Sequence, residues 1–200
     1  LKLGDIFKNT SIKKIAGLVS SLKTIHENVI VPVEKRDYYI ASPAQKRMYY
    51  QHLLHKESTA FNISIPIEIK GKIDIDKLKH SFRKLIERHE ILRTSFMLTD
   101  NGVVQVINCV PDFEIKELES DKYPSLKHAF EEFVRPFDLS MKSLMRCALF
   151  RFEENNFLFI DIHHMVADGV SLDILIRDFN KIYRGEALKP MEIRYVDYAH

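Results

Sequence analysis

The sequence predicts an α/β (α+β) sandwich, in which helices pack on a mostly antiparallel sheet. Strand-like runs such as residues 61–70 and 157–163 alternate along the chain with amphipathic helical patterns, such as those that begin at Asp74 and Ser171. Polar turns separate neighbouring strand-like runs, which favours hairpins and therefore antiparallel pairing. The length of 200 residues is enough to build one hydrophobic core of ordinary size.

The strand candidates carry distinct turn and breaker signals. Residues 61–70 (FNISIPIEIK) alternate between apolar and polar side chains, but Pro66 cannot donate to a strand ladder, which predicts an edge strand or a bulge. The turn at residues 100–102 (Asp-Asn-Gly) predicts a hairpin between the runs on either side of it. Further strand candidates are residues 113–118, 144–152 and 157–163, the last two joined through the polar turn EENN.

Capping residues mark the starts of the helices. A cap-type side chain or a first-turn proline precedes an apolar stripe of helical spacing at Pro43, Asp74, Ser125 and Ser171. Gly185 can adopt the left-handed conformation that ends the last of these helices. We therefore expect four helices in the main part of the chain.

The beginning of the chain is expected to be separate from the rest. Residues 1–21 contain two short helical patterns, and Thr10 or Ser11 is expected to cap the second. Residues 22–37 show no clear period and include a proline, so they are interpreted as a linker before a domain at residues 38–200. The chain starts and stops within patterns, and we therefore expect a piece of a longer protein.

Charge and composition argue against several function classes. A formal net charge of +2 gives no electrostatic reason to bind nucleic acid or an anionic membrane. No apolar run has the length of a membrane span, and no signal-peptide pattern opens the chain. Cys109 and Cys147 lack metal-ligand spacing and are interpreted as small buried hydrophobic residues of a reducing, cytoplasmic protein.

The stretch FIDIHHMVADGVSLDILI (residues 159–176) contains the main candidate for a functional site. A strand-like run ends there in two adjacent histidines, and an Asp-Gly pair precedes the next helix. Successive strand side chains point to opposite faces, so His164 shares a face with Ile162 and His163 shares the other with Asp161. The two imidazoles are therefore expected to differ in role, and one can be a core histidine held by a backbone carbonyl or by Asp161.

Two chemical roles are open for this stretch besides the structural one. His163, His164 and Asp168 are metal-ligand types, but neighbours on opposite strand faces converge poorly on one tetrahedral ion, so no metal site is expected. A histidine at a strand end can instead exchange a proton near neutral pH. Gly169 lets a backbone N–H approach a carbonyl oxygen that develops charge, while Asp168 can brace the loop through an ion pair. These are the parts of an acyl-transfer site.

Four stretches carry a resemblance to one family. HHMVADG (163–169) fits the HHxxxDG signature of condensation domains from nonribosomal peptide synthetases. SPAQKRMYY (42–50), RHEILRTSF (88–96) and YVDYA (195–199) resemble three further motifs of that family, in the same order. The resemblance covers residues 38–200. It implies the N-terminal lobe of a chloramphenicol-acetyltransferase-like fold, whose active-site tunnel lies between two lobes.

The resemblance implies a reaction and the residues that carry it. Such domains join a donor acyl or peptidyl thioester to the α-amine of an acceptor aminoacyl thioester, and His164 is then the catalytic histidine. Gly169 is expected beside the reacting thioester, and His163 is expected to be structural. The sequence leaves open whether His164 acts as a base, takes a proton as the tetrahedral intermediate forms, or only positions the amine.

Charged residues of the matched motifs are expected to support the site. Arg88 and Arg93 match family positions that are sensitive to change, and Asp168 suits a structural role. Because a buried charge needs a partner, we hypothesise that Asp168 is paired with Arg88 or Arg93, with a partner in the second lobe as the alternative. Ser42 and Gln45 of the first motif are expected to pack rather than to catalyse.

The resemblance also implies partners. Both substrates would arrive on phosphopantetheine arms, one from an upstream (donor) and one from a downstream (acceptor) peptidyl carrier protein, with an adenylation domain in the same synthetase. No cofactor is expected to be bound covalently to this chain. Residues 1–21 resemble the C-terminal helices of a carrier protein. Because most of the second lobe is not included, the 200 residues alone are expected to be inactive.

Three other functions compete with condensation. An epimerisation domain of the same superfamily shares the histidine pair, but it usually carries a tryptophan soon after the signature, and this chain has none. A non-catalytic domain that docks carriers or partner enzymes is disfavoured by the intact HHMVADG stretch. An acyltransferase that uses coenzyme A is disfavoured by the carrier-like beginning of the chain.

Overall fold

A computed structural model describes residues 3–21, 30–109, 113–152 and 154–199, which divide into two compact units, Leu1–Ile30 and Val31–His200. In the first unit, helix α1 (Leu3–Lys8) is followed by α2 (Ile12–Ser21). Ser11 Oγ accepts a hydrogen bond from the Lys14 N–H at 3.4 Å, as expected of a cap. No residue of α2 is buried within this unit.

The predicted linker is only partly described. Residues 22–29 lie outside the described residues, whereas residues 31–37 belong to the second unit and form no helix or strand. The Val33 N–H donates to Asp197 Oδ1 at 2.9 Å, and Arg194 Nη2 donates to the Val33 carbonyl at 2.7 Å. The end of the predicted linker is therefore bonded to the far end of the domain that follows.

Two sheets form the framework of the second unit. The strands are β1 (Tyr39–Ile40), β2 (Asn62–Ile69), β3 (Thr94–Thr99), β4 (Gly102–Ile107), β5 (Ile115–Leu118), β6 (Met145–Phe152) and β7 (Asn155–His163). The larger sheet has the order β2-β7-β6-β5, with one parallel pair, β5 and β6. The smaller sheet has the order β1-β4-β3, and its β3–β4 hairpin turns at Gly102, where φ is +92°. Pro66 lies in β2 at the edge of the larger sheet, as predicted.

Four helices of the second unit begin close to the predicted caps, and a fifth, α7, was not predicted. They are α3 (Pro43–Leu54), α4 (Ile75–Arg88), α5 (Leu126–Phe133), α6 (Gly169–Arg184) and α7 (Tyr195–Ala199). Ser42, Asp74 and Ser125 each accept an N-terminal backbone hydrogen bond as caps of α3, α4 and α5. The predicted start of α6 at Ser171 is wrong by two residues, because Asp168 is the cap. Gly185 ends α6 with a φ of +78°, as expected.

The larger sheet buries apolar side chains on both faces. Leu158 and Ile162 of β7 belong to a core formed with α4 and α6, whereas Phe159 of β7 packs with α5 on the opposite face. This double burial explains the nearly continuous apolar runs of β6 and β7. Cys147 is buried, and burial raises the pKa of its thiol, but Cys109 is exposed, so the expectation that both cysteines are buried is wrong for Cys109. Mixed helices and sheet confirm the predicted α/β class.

No described helix combines the length and the apolar character that crossing a membrane requires.

Candidate active site

His163 ends β7 as a buried, neutral histidine. Its Nδ1 accepts a hydrogen bond from the Met165 N–H at 3.1 Å, and its ring lies 5.8 Å from that of His52 and 5.9 Å from that of Phe137, centroid to centroid. Burial, reinforced by the charges of neighbouring cationic groups, lowers the pKa of His163 to about 4. His163 is the core histidine that the sequence predicted, but a backbone N–H holds it, not a carbonyl or Asp161.

Asp161, on the same face of β7, belongs to a separate polar cluster. It accepts hydrogen bonds from Ser64 Oγ at 2.7 Å and Asn62 Nδ2 at 2.9 Å, and Arg146 Nε lies 3.4 Å away. Burial raises the pKa of Asp161, although these partners act against the rise. The cluster joins β2, β6 and β7 just before the histidine pair, so it supports the end of the strand.

His164 is exposed and lies in the turn directly after β7. Its backbone N–H donates to the Phe61 carbonyl at 2.7 Å, one residue beyond the last strand pair, Asn62 and His163. The two neighbouring imidazoles therefore differ in environment, as expected: His163 is buried and His164 is exposed.

The turn after His164 is held by the first motif. Met165, Val166 and Ala167 are all buried, and Gln45 Nε2 donates to the Met165 carbonyl at 3.4 Å. Gln45 is fully buried and also completes a capping box, in which its side-chain oxygen accepts from the Ser42 N–H. The packing role expected for Gln45 is therefore also a bracing role for the turn that carries His164.

Asp168 and Gly169 form the N-terminus of α6. Asp168 is exposed, and its Oδ1 accepts hydrogen bonds from the Ser171 N–H at 2.7 Å and Ser171 Oγ at 2.6 Å, which hold the pKa of this carboxyl below its ordinary value. Gly169 is the first helical residue, and a Cβ added to it would meet no heavy atom within 4 Å. Its missing side chain therefore leaves open space at the positive end of the helix dipole.

The hypothesis that Asp168 pairs with Arg88 or Arg93 is wrong among the described residues. Arg88 Nε donates to Asp178 Oδ2 at 2.9 Å, and Arg93 Nη2 donates to Glu90 Oε1 at 3.0 Å. The physical reason is position: α4 ends beside the middle of α6, and Asp168 precedes Asp178 by ten residues, roughly 15 Å along the helix.

Asp178 is a supporting residue that the sequence interpretation missed. It is 2% exposed, and His89 Nε2 lies 3.0 Å from the same carboxylate oxygen that Arg88 binds. Burial acts to raise the pKa of Asp178, but hydrogen bonds from Arg88 and His89 hold it below the ordinary value. One sequence feature could have identified Asp178 as a buried, paired carboxylate: it is an acidic residue next to Phe179, which lies in the apolar stripe of α6.

The described residues contain no group of three or more His, Cys, Asp or Glu side chains that could hold a metal ion. The candidate site consists of one exposed imidazole, one helix N-terminus and the residues that hold them in place.

A family model of the condensation domain matches residues 35–200.

The chain belongs to the condensation-domain family.

Relatives and solved structures agree with this assignment. The chain is 36% identical over 198 residues to bacitracin synthase 2 of Bacillus licheniformis. The matched region covers 98% of this chain and 8% of the relative. The X-domain of teicoplanin biosynthesis, in complex with OxyB, has 25% identity and a TM-score of 0.74 over 88% of this chain and 40% of its own. The starter condensation domain of rhizomide synthetase RzmA has a similar fold, with a TM-score of 0.70, 19% identity, and coverage of 82% of this chain and 43% of its own.

These comparisons confirm the resemblance to condensation domains of nonribosomal peptide synthetases and the predicted fold. The chain spans less than a tenth of the length of the curated relative and about two fifths of each solved chain.

In this condensation domain, a few side chains connect the three motifs other than HHMVADG (residues 42–50, 88–96 and 195–199) to one another, to the signature and to α6. The first motif contacts the signature through Gln45 and contacts α7 through Ser42, whose Oγ lies 2.9 Å from the Tyr195 hydroxyl. The second motif contacts α6 through Arg88 and His89. The motifs that the sequence interpretation recognised separately are thus brought together around β7 and α6.

Proposed function

We propose that the domain forms an amide between a donor acyl or peptidyl thioester and the α-amine of an acceptor aminoacyl thioester. The amine nitrogen attacks the donor carbonyl carbon, and the carbon–sulfur bond breaks. The proton that the amine loses is taken up by the released thiolate, which becomes a free thiol. The observation that carries the proposal is the exposed His164 in the short turn between the buried strand β7 and the N-terminus of α6.

His164 is assigned as the catalytic histidine. An α-amine with a pKa of about 8 is partly neutral at cellular pH, so a strong base is not required. His164 then takes a proton as the tetrahedral intermediate forms, or it positions the amine. Its neighbour His163 is unsuited to either task, because it is buried and its accepting nitrogen is already bonded to Met165.

Gly169 is assigned a place beside the reacting thioester. N–H groups in the first turn of a helix have no intrahelical partner, and the dipole of α6 favours negative charge at this end. The missing side chain leaves space for a carbonyl oxygen to approach that N–H, where developing charge is stabilised. Asp168, His163, Arg88 and Arg93 then support the site without contacting the reacting atoms.

The proposal includes partners that bring both substrates. Phosphopantetheine arms of an upstream donor carrier and a downstream acceptor carrier would deliver the thioesters, and an adenylation domain of the same synthetase would load them. Residues 1–21 are proposed to be the end of a carrier, residues 22–37 the linker, and residues 38–200 the N-terminal lobe of the domain. A second lobe would cover the exposed His164 and exclude water from the thioester.

The test uses the complete condensation domain with loaded donor and acceptor carriers in deuterated water, and it follows carrier-bound masses. We expect the acceptor to gain the donor mass in the wild type and in His80→Ala, which removes an exposed histidine of α4. We expect the gain to be lost in His164→Ala. Deuterium at an aminoacyl α-carbon without mass transfer would instead establish epimerisation.

One observation favours a second candidate function, that of a docking domain. A solved X-domain with 25% identity is in complex with the protein OxyB. Carrier or partner binding without either mass change would support docking for this chain and would contradict the condensation proposal.

A further inference from the structure

The motif YVDYA (residues 195–199) contacts a segment that lies far earlier in the chain. Asp197 Oδ1 accepts the Val33 N–H at 2.9 Å, and Nη2 of the nearby Arg194 donates to the Val33 carbonyl at 2.7 Å. Both hydrogen-bonding groups of the Val33 backbone are therefore bonded to charged side chains. Hydrogen bonds with an ionised partner are stronger than those between neutral groups, so Val33 is held firmly.

Asp197 and Arg194 also hold each other in place. The Arg194 N–H donates to Asp197 Oδ2 at 2.6 Å, and Arg194 Nη2 donates to Asp197 Oδ1 at 2.8 Å. The Asp197 side chain is completely buried. Burial acts to raise the pKa of Asp197, but hydrogen bonds from Arg194 and from the Val33 N–H hold it below the ordinary value. The pair thus presents one acceptor and one donor at fixed positions to the backbone of Val33.

Tyr39 holds the next part of the same segment. Its hydroxyl accepts a hydrogen bond from the Arg36 N–H at 3.1 Å and donates to the Glu34 carbonyl at 3.3 Å. Tyr39 is buried in β1, and the Arg194 guanidinium lies 5.8 Å from the centre of its ring. Four backbone groups of residues 33–36 are therefore bonded to side chains of the domain, although the segment forms no helix or strand.

The segment is held by its backbone and not by burial of its side chains. Among residues 31–37 only Val33 is half-buried, and the other side chains are exposed. Such a segment removes little apolar surface from water and therefore adds little to the core. The four hydrogen bonds, which we call the linker anchor, fix the course of the chain instead. Their effect is on where the preceding part of the chain joins the domain.

We propose that the linker anchor fixes the point at which the tether of the upstream donor carrier leaves the domain. The inference rests on the proposed function, because residues 1–21 are proposed there to be the end of that carrier. Val33 lies 12 positions after Ser21, the last residue of α2, whereas Tyr39, where β1 begins, lies 18 positions after it. Without the anchor the tether therefore lengthens by half.

A shorter tether keeps an attached carrier at a higher effective concentration. The effective concentration falls roughly as the −3/2 power of tether length, so lengthening the tether from 12 to 18 residues lowers it about twofold. Asp197 and Arg194 then act as positioning residues, which hold the tether and not the substrate. This assigns a role to the motif YVDYA that the proposed reaction does not otherwise use.

A matched pair of double variants tests the anchor from the linker side. Val33→Pro/Tyr39→Phe, the anchor variant, removes three of the four hydrogen bonds but keeps the buried ion pair of the motif. Val31→Pro/Tyr38→Phe, the control variant, makes the same two substitutions at neighbouring exposed positions. Both are made in the polypeptide that contains the upstream carrier and the complete condensation domain.

Trypsin reports on the anchor without any reaction. Lys35 lies between the bonded residues Glu34 and Arg36, and Lys142 is an exposed lysine in a distant loop. We expect cleavage of the folded protein after Lys35 to be at least about tenfold faster in the anchor variant, because the segment opens more often. The control variant should match the wild type, and cleavage after Lys142 should be unchanged in both variants. Equal rates after Lys35 in all three proteins would overturn the proposal.

A competition assay measures the effect on the attached carrier. The attached carrier bears the donor, a separate carrier bears the same donor with a heavy isotope, and the acceptor gains one mass or the other. We expect the ratio of light to heavy product to fall about twofold in the anchor variant and to stay at the wild-type value in the control variant. An unchanged ratio in the anchor variant, whether or not total product falls, would contradict the proposal.

The two measurements separate failure of the anchor from failure of the reaction. If the wild type forms amide from neither carrier, the proposed function fails, and the role of the anchor in donor delivery fails with it. If amide forms but the product ratio is the same in the anchor variant and the wild type, the anchor proposal fails alone.

Discussion

At the scale of single residues, two adjacent histidines differ in burial and in partners. His163 is 2% exposed and accepts the Met165 N–H, whereas His164, the next residue, is exposed. Because burial disfavours the charged form of His163, protonating this residue costs free energy.

The lowered pKa of His163 predicts that stability falls with acidity. Its pKa is about 4 in the folded chain and 6.5 in the unfolded chain, so between these values the unfolded state binds more protons. We expect the free energy of unfolding to fall from pH 6.5 to pH 4, with ~3 kcal/mol from this residue. In His163→Gln, which keeps an acceptor but does not titrate, urea unfolding at several pH values should show a correspondingly weaker decline.

The exposed His80 provides the control for this pH dependence. His80→Gln should retain the full decline of the wild type, because it replaces an exposed histidine of α4 and leaves the buried His163 in place. A His163→Gln variant with the same decline as the wild type would show that His163 is not the group responsible.

At the scale of elements, the buried carboxylate of Asp178 joins α4 to α6. Arg88 and His89, at the end of α4, share one of its oxygens, and Arg88 Nη1 also donates to the Lys189 carbonyl at 2.7 Å. The contact therefore fixes α6 against the second motif and the segment after the helix. Because α6 also presents Gly169 at its N-terminus, this contact contributes to the orientation of the candidate site.

Asp178→Asn should be strongly destabilising. The substitution removes the negative charge that partners Arg88 and His89. Breaking a buried charge pair costs about 3–5 kcal/mol of stability. Because Arg88 is partly exposed, we expect the free energy of unfolding to fall by about 3 kcal/mol, at the lower end of this range. Asp173→Asn, on the exposed side of the same helix, should change the free energy of unfolding by less than about 0.5 kcal/mol. Urea unfolding measures both, and similar losses in the two variants would contradict the assigned role.

At the scale of the whole molecule, the described domain leaves apolar surface uncovered close to the candidate site. Val170, in the first turn of α6, is 71% exposed, and Ile176 of the same helix is 51% exposed. Exposed apolar groups of this kind are typical of a surface that another part of a protein covers. Val170 directly follows Gly169, so its exposure agrees with the proposal that a second lobe closes the site.

We therefore predict that the isolated 200-residue chain associates and does not turn over carrier-bound substrates. Light scattering coupled to size-exclusion chromatography should show mass increasing with concentration, because apolar surface is exposed. The mass-transfer assay should show no product, because water is not excluded from the thioester. The complete domain is the control, and a monodisperse isolated chain that forms the amide would contradict the prediction.

Local features of the sequence predicted most of the strands and helices of the second unit and a difference between the two histidines. Caps such as Ser42 and Asp74 and the edge position of Pro66 depend on residues a few positions apart, so their effects can be followed along the chain. The helix start predicted at Ser171 was displaced by Asp168, a cap three residues earlier, and the short elements β1 and α7 were not predicted.

Tertiary structure decided the partners of the charged residues. Arg88 and Asp178 are 90 positions apart, and Gln45 and Met165 are 120 positions apart, so no local pattern relates them. By itself the sequence determined which strand side chains share a face and that the two histidines differ in environment, because periodicity is local. Which of those side chains meet depends on how helices pack on the sheet.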